Sequence, residues 1–445
     1  MPGAVFGQVG PPLRAISQPI SIVEMSSTVL NSSGVGGSAF TPAQLGPLLL
    51  PNRFIRAGTG ESMADKDGRI RPGYAVLHEN LARGGVGLAF TGHIFCHPRG
   101  RYGELQAGLH DDDAIPQFRA VTDAVHRRDG RIVAQIAHAG SQSMIAGNDP
   151  LAPSAVDNVM TGRKVRAARI DEIEDVIDAF AQAARRAVEA GFDGIHLHGA
   201  NGYLISQFRS PLTNRREDEW GGSRQRRDRL AVEIIRAIRG QLPPGRSFTM
   251  KVGVADLVDE PGGLSVTDAV EGIRAFVDAG LDGVEISSNL MSDYVSASIR
   301  PYVAVTRRRA LADILVHRLH KSPEPEAYFL DFADAVRARV DTKVILVGGI
   351  RRLDTVDRLI AGGRADFVSM ARPFIREPDL VNRLATGAQT SPACVSCNIC
   401  LMHDEHHPLQ CWRIPRMNLL RHARYRFTGG FGTKGSGRKP SAAEL

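Results

Sequence analysis

The chain has 445 residues, of which 43% are hydrophobic and 23% charged, as in an ordinary globular protein with a sizeable core. This length suits one large barrel with extensions, or two to three smaller domains. The net charge of +7 comes from scattered or C-terminal basic residues without interleaved aromatic residues, so nucleic-acid binding is not expected. No apolar run or leader indicates a membrane, so we expect a cytoplasmic protein.

The two ends of the chain differ in composition from its middle. Residues 1–46 are rich in Gly, Pro and Ser without periodicity, which predicts a disordered extension, and both Met1 and Met25 are candidate start sites. The predicted domains are a disordered extension (1–46), a barrel (47–388), a cysteine-rich segment (389–415) and a basic flexible tail (416–445).

A strand–helix alternation begins at Leu48 and repeats eight times. Short apolar runs predict strands at 54–57, 86–91, 132–137, 194–197, 248–252, 283–287, 343–347 and 366–370. Helical periodicity is clear at 114–128, 171–190, 225–239, 266–279 and 353–361. Eight parallel units predict a (β/α)8 TIM barrel, with an open doubly wound sheet as the alternative.

Two predicted loops are too long to be simple connections. Residues 141–169 follow strand three and residues 289–330 follow strand six, so both are expected over the mouth of the barrel. The second loop is basic at Arg307 and contains Tyr294 and Tyr302, which are candidate substrate contacts as well as candidates for solvated surface.

Three polar residues follow the fourth predicted strand within six positions. His198, Asn201 and Tyr203 each lie beside a glycine, where the backbone can approach a ligand closely. His198 and Asn201 can each donate a hydrogen bond to one substrate oxygen, and Tyr203 can deliver a proton nearby. Because barrel enzymes hold their chemistry at the carboxyl ends of strands, the trio is a candidate catalytic site.

The pattern HGANGYLxxQFxSPxxNxRxDxxGGSxxxR that begins at His198 resembles the signature of the old yellow enzyme family. The resemblance covers about residues 45–385 and implies a TIM barrel that binds FMN and takes electrons from NAD(P)H. It also implies that His198 and Asn201 grip the electron-withdrawing group of the substrate and that Tyr203 is the proton donor. Arg209 stands where the family usually has an apolar residue, so we expect it to modify substrate choice.

A phosphate site is predicted after the last two strands. Gly348 and Gly349 expose backbone N–H groups, and Arg372, next to Ala371, supplies a bidentate phosphate partner. The glycines alone could simply turn the chain. The segment FVSMARPFIREPDL is similar to the family's FMN phosphate segment, which favours the phosphate interpretation.

Other residues are candidate contacts of a flavin ring. Lys251 is expected to point into the barrel, where it faces either the flavin or Glu285 in a salt bridge, and the family usually has arginine there. Gln135 resembles the glutamine that reads the pyrimidine edge of the ring, and Gly92 is expected to leave room for the ring. The resemblance also places the first strand's exit against the flavin, at Ala57, Gly58 and Thr59.

Four cysteines have metal-ligand spacing: Cys394, Cys397, Cys400 and Cys411. The run resembles the iron–sulfur segment of trimethylamine dehydrogenase and 2,4-dienoyl-CoA reductase. A [4Fe–4S] cluster, structural zinc and unliganded thiols all stay open, and the nearby His403, His406 and His407 keep zinc among these alternatives. Cys96 is interpreted as a packed, inert thiol.

These observations lead to one main hypothesis and two alternatives. The first is an FMN-dependent NAD(P)H oxidoreductase that reduces the activated C=C bond of α,β-unsaturated carbonyl or nitro compounds. The second is a flavin/iron–sulfur dehydrogenase or demethylase that passes electrons to a separate partner protein. The third is a non-redox lyase or isomerase, with Lys251 as a Schiff-base candidate. A small-molecule substrate is expected in each case, and a homo-oligomer is compatible with all three.

Overall fold

The computed structural model describes residues 37–158, 162–258, 260–290 and 326–428. The main strands are β1 Phe54–Arg56, β2 Leu88–Phe90, β3 Ile132–Ala137, β4 Gly194–Gly199, β5 Ser247–Gly253, β6 Gly283–Ser287, β7 Lys343–Val347 and β8 Phe367–Met370. They form a parallel sheet in the order β2–β1–β8–β7–β6–β5–β4–β3, which closes on itself where Ala89 of β2 pairs with Ile132 of β3. These strands therefore form a closed eight-stranded barrel, as predicted.

Helices connect the strands around the outside of the barrel. They are α1 Gly73–Arg83, α2 Ala114–His126, α3 Ile170–Glu189, α4 Arg224–Gln241, α5 Val266–Asp278, α6 Leu330–Arg337, α7 Leu353–Ala361 and α8 Leu380–Ala385. Shorter helices lie at Leu204–Arg209, Arg372–Arg376 and Ile399–Met402, and a last helix lies at Met417–Phe427. Single 3-10 turns form at Ser38–Phe40, Pro98–Gly100 and Gly140–Gln142.

Local sequence explains where these helices begin and end. Ser223 and Ser265 cap α4 and α5 by accepting hydrogen bonds from backbone N–H groups in the first turn. Gly191 and Gly280 follow α3 and α5 with φ of +91° and +127°, a conformation that favours glycine. Both helices therefore end at a glycine that adopts a left-handed conformation.

A short hairpin closes the amino-terminal end of the barrel. Its strands, Ala43–Leu45 and Leu48–Leu50, pair antiparallel. Leu45, Leu48 and Leu50 pack with Ile55, Phe90 and other apolar side chains inside the barrel. The predicted extension is therefore too long at its C-terminal end, because residues 37–46 are tied down by this apolar packing. Residues 1–36 lie outside the described residues.

The C-terminal region is more ordered than predicted. Residues 417–427 form a helix, whereas a flexible tail was expected from residue 416. Asn418 and His422 are buried on one side of this helix, and His422 Nδ1 lies 2.9 Å from Nε2 of His403. The prediction of a flexible tail was wrong for this stretch because basic composition obscured the side chains that the helix buries. Residues 429–445 lie outside the described residues.

The two long loops are described in part. The first contains a two-stranded parallel pair, Leu151–Ala152 with Arg166–Ala167. In the second, residues 291–325 lie outside the described residues, and they include the candidate contacts Tyr294 and Tyr302. None of the helices in the described residues has both the length and the apolar character needed to cross a bilayer.

Candidate active site

A cavity of about 460 Å³ opens at the carboxyl ends of the barrel strands. This is the end at which barrel enzymes assemble their sites. Its lining includes residues that follow β1, β4, β7 and β8, side chains on β5 and β6, and a stretch of the C-terminal segment. Among the predicted site residues, the lining contains Ala57, Gly58, Thr59, His198, Asn201, Tyr203, Lys251, Gly348, Gly349, Ala371 and Arg372.

The predicted catalytic trio meets in this cavity. The His198 and Tyr203 rings pack edge to face with centroids 4.6 Å apart, and both residues are buried. Asn201 has φ of +58°, and its Oδ1 accepts a hydrogen bond of 2.9 Å from Ser287 Oγ. That bond orients the amide so that its N–H groups are the donors left for a ligand.

His198 is held as a neutral donor. Burial, and next the charge of Lys251, lower the pKa of His198 well below its ordinary value. Its Nδ1 is buried without a hydrogen-bond partner among the described residues. A buried polar atom without a partner is costly, so this atom fits a ligand that completes its bonding.

Lys251 combines the two roles that the sequence left open. It lines the cavity, and its Nζ lies 2.6 Å from Oε2 of Glu285. Met250 and Val252 pack outward against the helices, which turns Lys251 inward as predicted. The lysine is therefore both a cavity cation and one half of a buried ion pair.

A polar layer below the cavity surrounds Glu285, which is fully buried. His196 Nε2 lies 3.1 Å from Oε2 of Glu285 and Nδ1 of the same ring lies 2.8 Å from Thr249 Oγ1, while Ser369 donates a short hydrogen bond to Oε1. Burial raises the pKa of Glu285, but the charge of Lys251 and these bonds outweigh it and hold the pKa below its usual value. Glu285 is therefore an ionised carboxylate.

The surroundings of Gln135 and of the residues just after β1 also suit a flavin ring. Gln135 is 1% exposed, and its Nε2 has no hydrogen-bond partner within the described part of the chain. A Cβ added at Gly58 would lie 2.5 Å from that nitrogen, so the backbone at Gly58 lies directly against the glutamine amide. This amide nitrogen beside the cavity wall can therefore donate a hydrogen bond to the polar edge of a flavin ring.

Gly92 lies where the exits of β1 and β2 meet. It is not among the residues that line the main cavity. A Cβ there would meet the carbonyl oxygen of Thr59 at 2.6 Å. The glycine therefore lets the two strand exits approach each other, and its contact with a flavin ring stays a prediction.

One end of the cavity carries two arginines and a pair of glycines. Gly348 and Gly349 have φ of +119° and +72°. A Cβ at Gly348 would lie 2.9 Å from the Tyr328 ring, so a side chain would not fit there. Arg372 and Arg351 line the same end. Two guanidinium groups beside this turn suit a phosphate, so the cavity as a whole fits a flavin mononucleotide.

The four cysteines come together beside this end. Cys394, Cys397, Cys400 and Cys411 line one small cavity of about 20 Å³, together with Arg372. Burial, and then the neighbouring thiols, raise the pKa of Cys400 to about 12. Within the described residues, however, no group of three or more His, Cys, Asp or Glu side chains is arranged to hold a metal ion. Cys96 is buried and burial raises its pKa, as expected for an inert thiol.

Several lining residues were not predicted. His93 and Tyr102 line the cavity beside Tyr203, with ring centroids 5.6 and 6.0 Å from the Tyr203 ring. Asp404 and Glu405 reach it from the C-terminal segment. The position of His93 just after the second strand was a usable signal, whereas nothing local marked the acidic pair.

Arg209 does not contact the cavity. Its side chain is fully buried behind the barrel, where Nε lies 3.1 Å from Asp228 Oδ1 and Nη1 donates to the carbonyl of Gly253 at 2.7 Å. The guanidinium carbon also lies 5.0 Å from the centre of the Phe276 ring. Arg209 thus joins a helix to a strand, and the expectation that it modifies substrate choice was wrong.

Comparison with known proteins identifies the family. Residues 38–391 match the NADH:flavin oxidoreductase / NADH oxidase family. The chain is 32% identical over 365 residues to NADH oxidase from Thermoanaerobacter brockii, covering 81% of this chain but only 52% of that protein. It thus spans about half the length of that relative. It is also 32% identical over 376 residues to 4,4'-dithiodibutanoate disulfide reductase from Rhodococcus erythropolis, covering 82% of this chain and 92% of the relative.

Solved structures agree with this assignment. Morphinone reductase in complex with tetrahydroNAD is 26% identical, with a TM-score of 0.64 over 80% of this chain and 92% of its own. A 2-naphthoyl-CoA reductase complex superposes with a TM-score of 0.75 at 24% identity, covering 86% of this chain and 57% of its own, and shows the shared fold alone. The chain belongs to the NADH:flavin oxidoreductase / NADH oxidase family, the old yellow enzyme family, which is a family of oxidoreductases.

Proposed function

We propose that the protein reduces the activated C=C bond of α,β-unsaturated carbonyl or nitro compounds. The observation that carries this proposal is the convergence of His198, Asn201 and Tyr203 on one cavity that also contains Lys251. Two neutral donors beside a phenol suit a substrate oxygen that gains negative charge, next to a carbon that must gain a proton. FMN, when bound, would supply the hydride-transfer chemistry between NAD(P)H and the β-carbon of the substrate.

The protein's own groups would divide the remaining work. His198 and the Asn201 amide would hold the carbonyl or nitro oxygen and stabilise the charge that develops there. Because His198 is buried and its pKa is well below the ordinary value, it would donate a hydrogen bond and keep its neutral form. Tyr203 would transfer its phenolic proton to the α-carbon of the substrate.

Other residues in and beside the cavity would hold the cofactor. Gln135 Nε2 would complete its hydrogen bonding on the flavin ring. Lys251, kept in place by Glu285, would present its charge to the ring. Arg351 and Arg372 would bind the phosphate beside Gly348 and Gly349.

Replacing Tyr203 by phenylalanine tests the assignment of the proton donor. We expect the reoxidation of the reduced enzyme by an α,β-unsaturated ketone to slow by about 10²- to 10⁴-fold, the usual contribution of a general acid. Reduction by NAD(P)H needs no phenol and should stay near the wild-type rate. Stopped-flow absorbance resolves the two half-reactions.

Tyr102→Phe is the matched control, because the Tyr102 ring lines the same cavity 6.0 Å from that of Tyr203. This variant should retain both half-reactions. The assignment fails if Tyr203→Phe slows both half-reactions equally, or if the two phenylalanine variants behave alike.

A second candidate function is a flavin/iron–sulfur dehydrogenase or demethylase that passes electrons to another protein. The observation that favours it is the shared cavity of Cys394, Cys397, Cys400 and Cys411 beside Arg372. About four iron and four sulfide per chain in purified protein, with poor NAD(P)H oxidation, would support this candidate. The Schiff-base alternative has no support, because Lys251 is engaged with Glu285 and the family is one of oxidoreductases.

A further inference from the structure

The C-terminal cysteine segment contacts the arginines at the phosphate end of the main cavity. Arg372 Nη1 donates to Asn398 Oδ1 at 2.6 Å, and Arg351 Nη1 donates to Ser396 Oγ at 2.8 Å. Arg351 also donates a short hydrogen bond to the carbonyl of Cys394. Each arginine that faces the cavity is therefore held by a residue between Cys394 and Asn398.

Three of these residues form a wall between two cavities. Arg372, Ser396 and Asn398 line the main cavity and also the small cavity of the four cysteines. At the C-terminal end of the short helix that begins at Arg372, Arg376 Nη1 lies 3.8 Å from Cys411 Sγ. One layer of side chains thus separates the cysteines from the phosphate end.

The backbone of this segment is held in an unusual shape. Ser396 and Asn398 have φ of +54° and +59°, and both residues are buried. Non-glycine residues keep such conformations where the surrounding contacts fix them. A fixed loop that receives hydrogen bonds from two arginines orders those long side chains before a ligand arrives, which lowers the entropic cost of binding.

We propose that the 394–398 segment is part of the cofactor site, with Ser396 and Asn398 as positioning residues for the two phosphate-binding arginines. The inference rests on the proposed use of FMN. It also implies that the cysteine cavity and the phosphate end are linked sites. Whatever stiffens the cysteine segment strengthens FMN binding, and FMN must stiffen the segment in return.

Asn398→Gly is the most direct variant, because glycine accepts the positive φ and removes the side chain whose oxygen accepts from Arg372. We expect the FMN dissociation constant of the full chain to rise about ten-fold, the size expected when a hydrogen bond to a charged group is lost. The measurement is quenching of FMN fluorescence on titration of FMN-depleted protein. Asn418→Ala is the control, since Asn418 is buried in the same region but bonds to the carbonyl of Ile414 at 2.9 Å.

Amide hydrogen exchange on the wild-type chain gives a second measurement that needs no variant. Saturating FMN should slow exchange in residues 392–402, and Asn398→Gly should lose most of that protection. The inference is overturned, with FMN still the cofactor, by either of two results. One is an FMN dissociation constant that is the same in Asn398→Gly and wild type; the other is an amide exchange rate in residues 392–402 that FMN does not change. A wild-type chain that does not bind FMN removes the proposed cofactor itself.

Discussion

At the scale of single residues, the buried Lys251–Glu285 pair is the most consequential feature below the cavity. A buried charge is tolerated when it is paired and hydrogen-bonded, and Glu285 meets both conditions through Lys251, His196 and Ser369. The pair fixes the position of the cation that faces the cavity. It also prevents an uncompensated positive charge inside the barrel before a cofactor binds.

Glu285→Gln should therefore cost stability. Glutamine keeps the shape and accepts from Ser369, but it leaves Lys251 as a buried charge without its partner. We expect the free energy of unfolding to fall by about 3–5 kcal/mol, measured from urea transitions of FMN-free protein.

Glu79→Gln is the matched control, because Glu79 pairs with Arg128 at 3.0 Å where the side chains are 29% and 48% exposed. Breaking that pair should cost about 1 kcal/mol or less. Equal losses of unfolding free energy in the two variants would show that the buried pair stabilises the protein no more than the exposed pair does.

The proposed catalytic trio was predictable as a cluster from the sequence. His198, Asn201 and Tyr203 lie within six positions at the end of one strand, and strand ends fix such neighbours locally. The contact of Glu405 with the backbone N–H of Leu105, at 2.8 Å, joins residues 300 positions apart. No local sequence pattern predicts a contact between residues so far apart, so this part of the site could be found only from the structure.

At the scale of elements, the C-terminal segment completes the wall of the cavity. Ser62 Oγ donates to Asp404 Oδ1 at 2.9 Å and accepts from the backbone N–H of Glu405 at 2.8 Å, which ties the segment to the loop after β1. Burial, and next the charge of Asp404, raise the pKa of Glu405 to about 8. A carboxyl that stays protonated near neutral pH thus lies at the cavity wall.

This raised pKa has a consequence for stability. The ordinary pKa of a glutamate is 4.5, so the folded state holds the proton of Glu405 more tightly than the unfolded chain. The resulting stabilisation is present below about pH 4.5 and is lost as the pH rises to about 8. Glu405→Gln keeps the acceptor for Leu105 and cannot ionise, so its stability relative to wild type should increase over this range.

Thermal unfolding midpoints at intervals between about pH 5 and about pH 8 measure this difference. Glu104→Gln is the control, because Glu104 lies next to Leu105 but is exposed. Its profile should run parallel to the wild type. A parallel profile for Glu405→Gln as well would contradict the burial of an ionisable carboxyl at this wall.

At the scale of the whole molecule, the barrel was the most predictable feature. The apolar runs at 132–137, 283–287 and 343–347 match strands β3, β6 and β7 residue for residue, because strands buried on both faces are continuous apolar stretches. The hairpin that closes the opposite end was not predicted, since three-residue strands carry too little periodicity. The helix at the C-terminus was missed because its buried face is made of polar side chains such as His422.

We expect the cavity at the carboxyl ends of the strands to hold one FMN. The visible absorption spectrum of the purified chain, together with quantification of the flavin released on denaturation, measures this directly. The purified protein should be yellow with about one FMN per chain, or should take up FMN to that ratio as an apoprotein. A colourless protein that leaves added FMN free in solution would show that this cavity is not a flavin site.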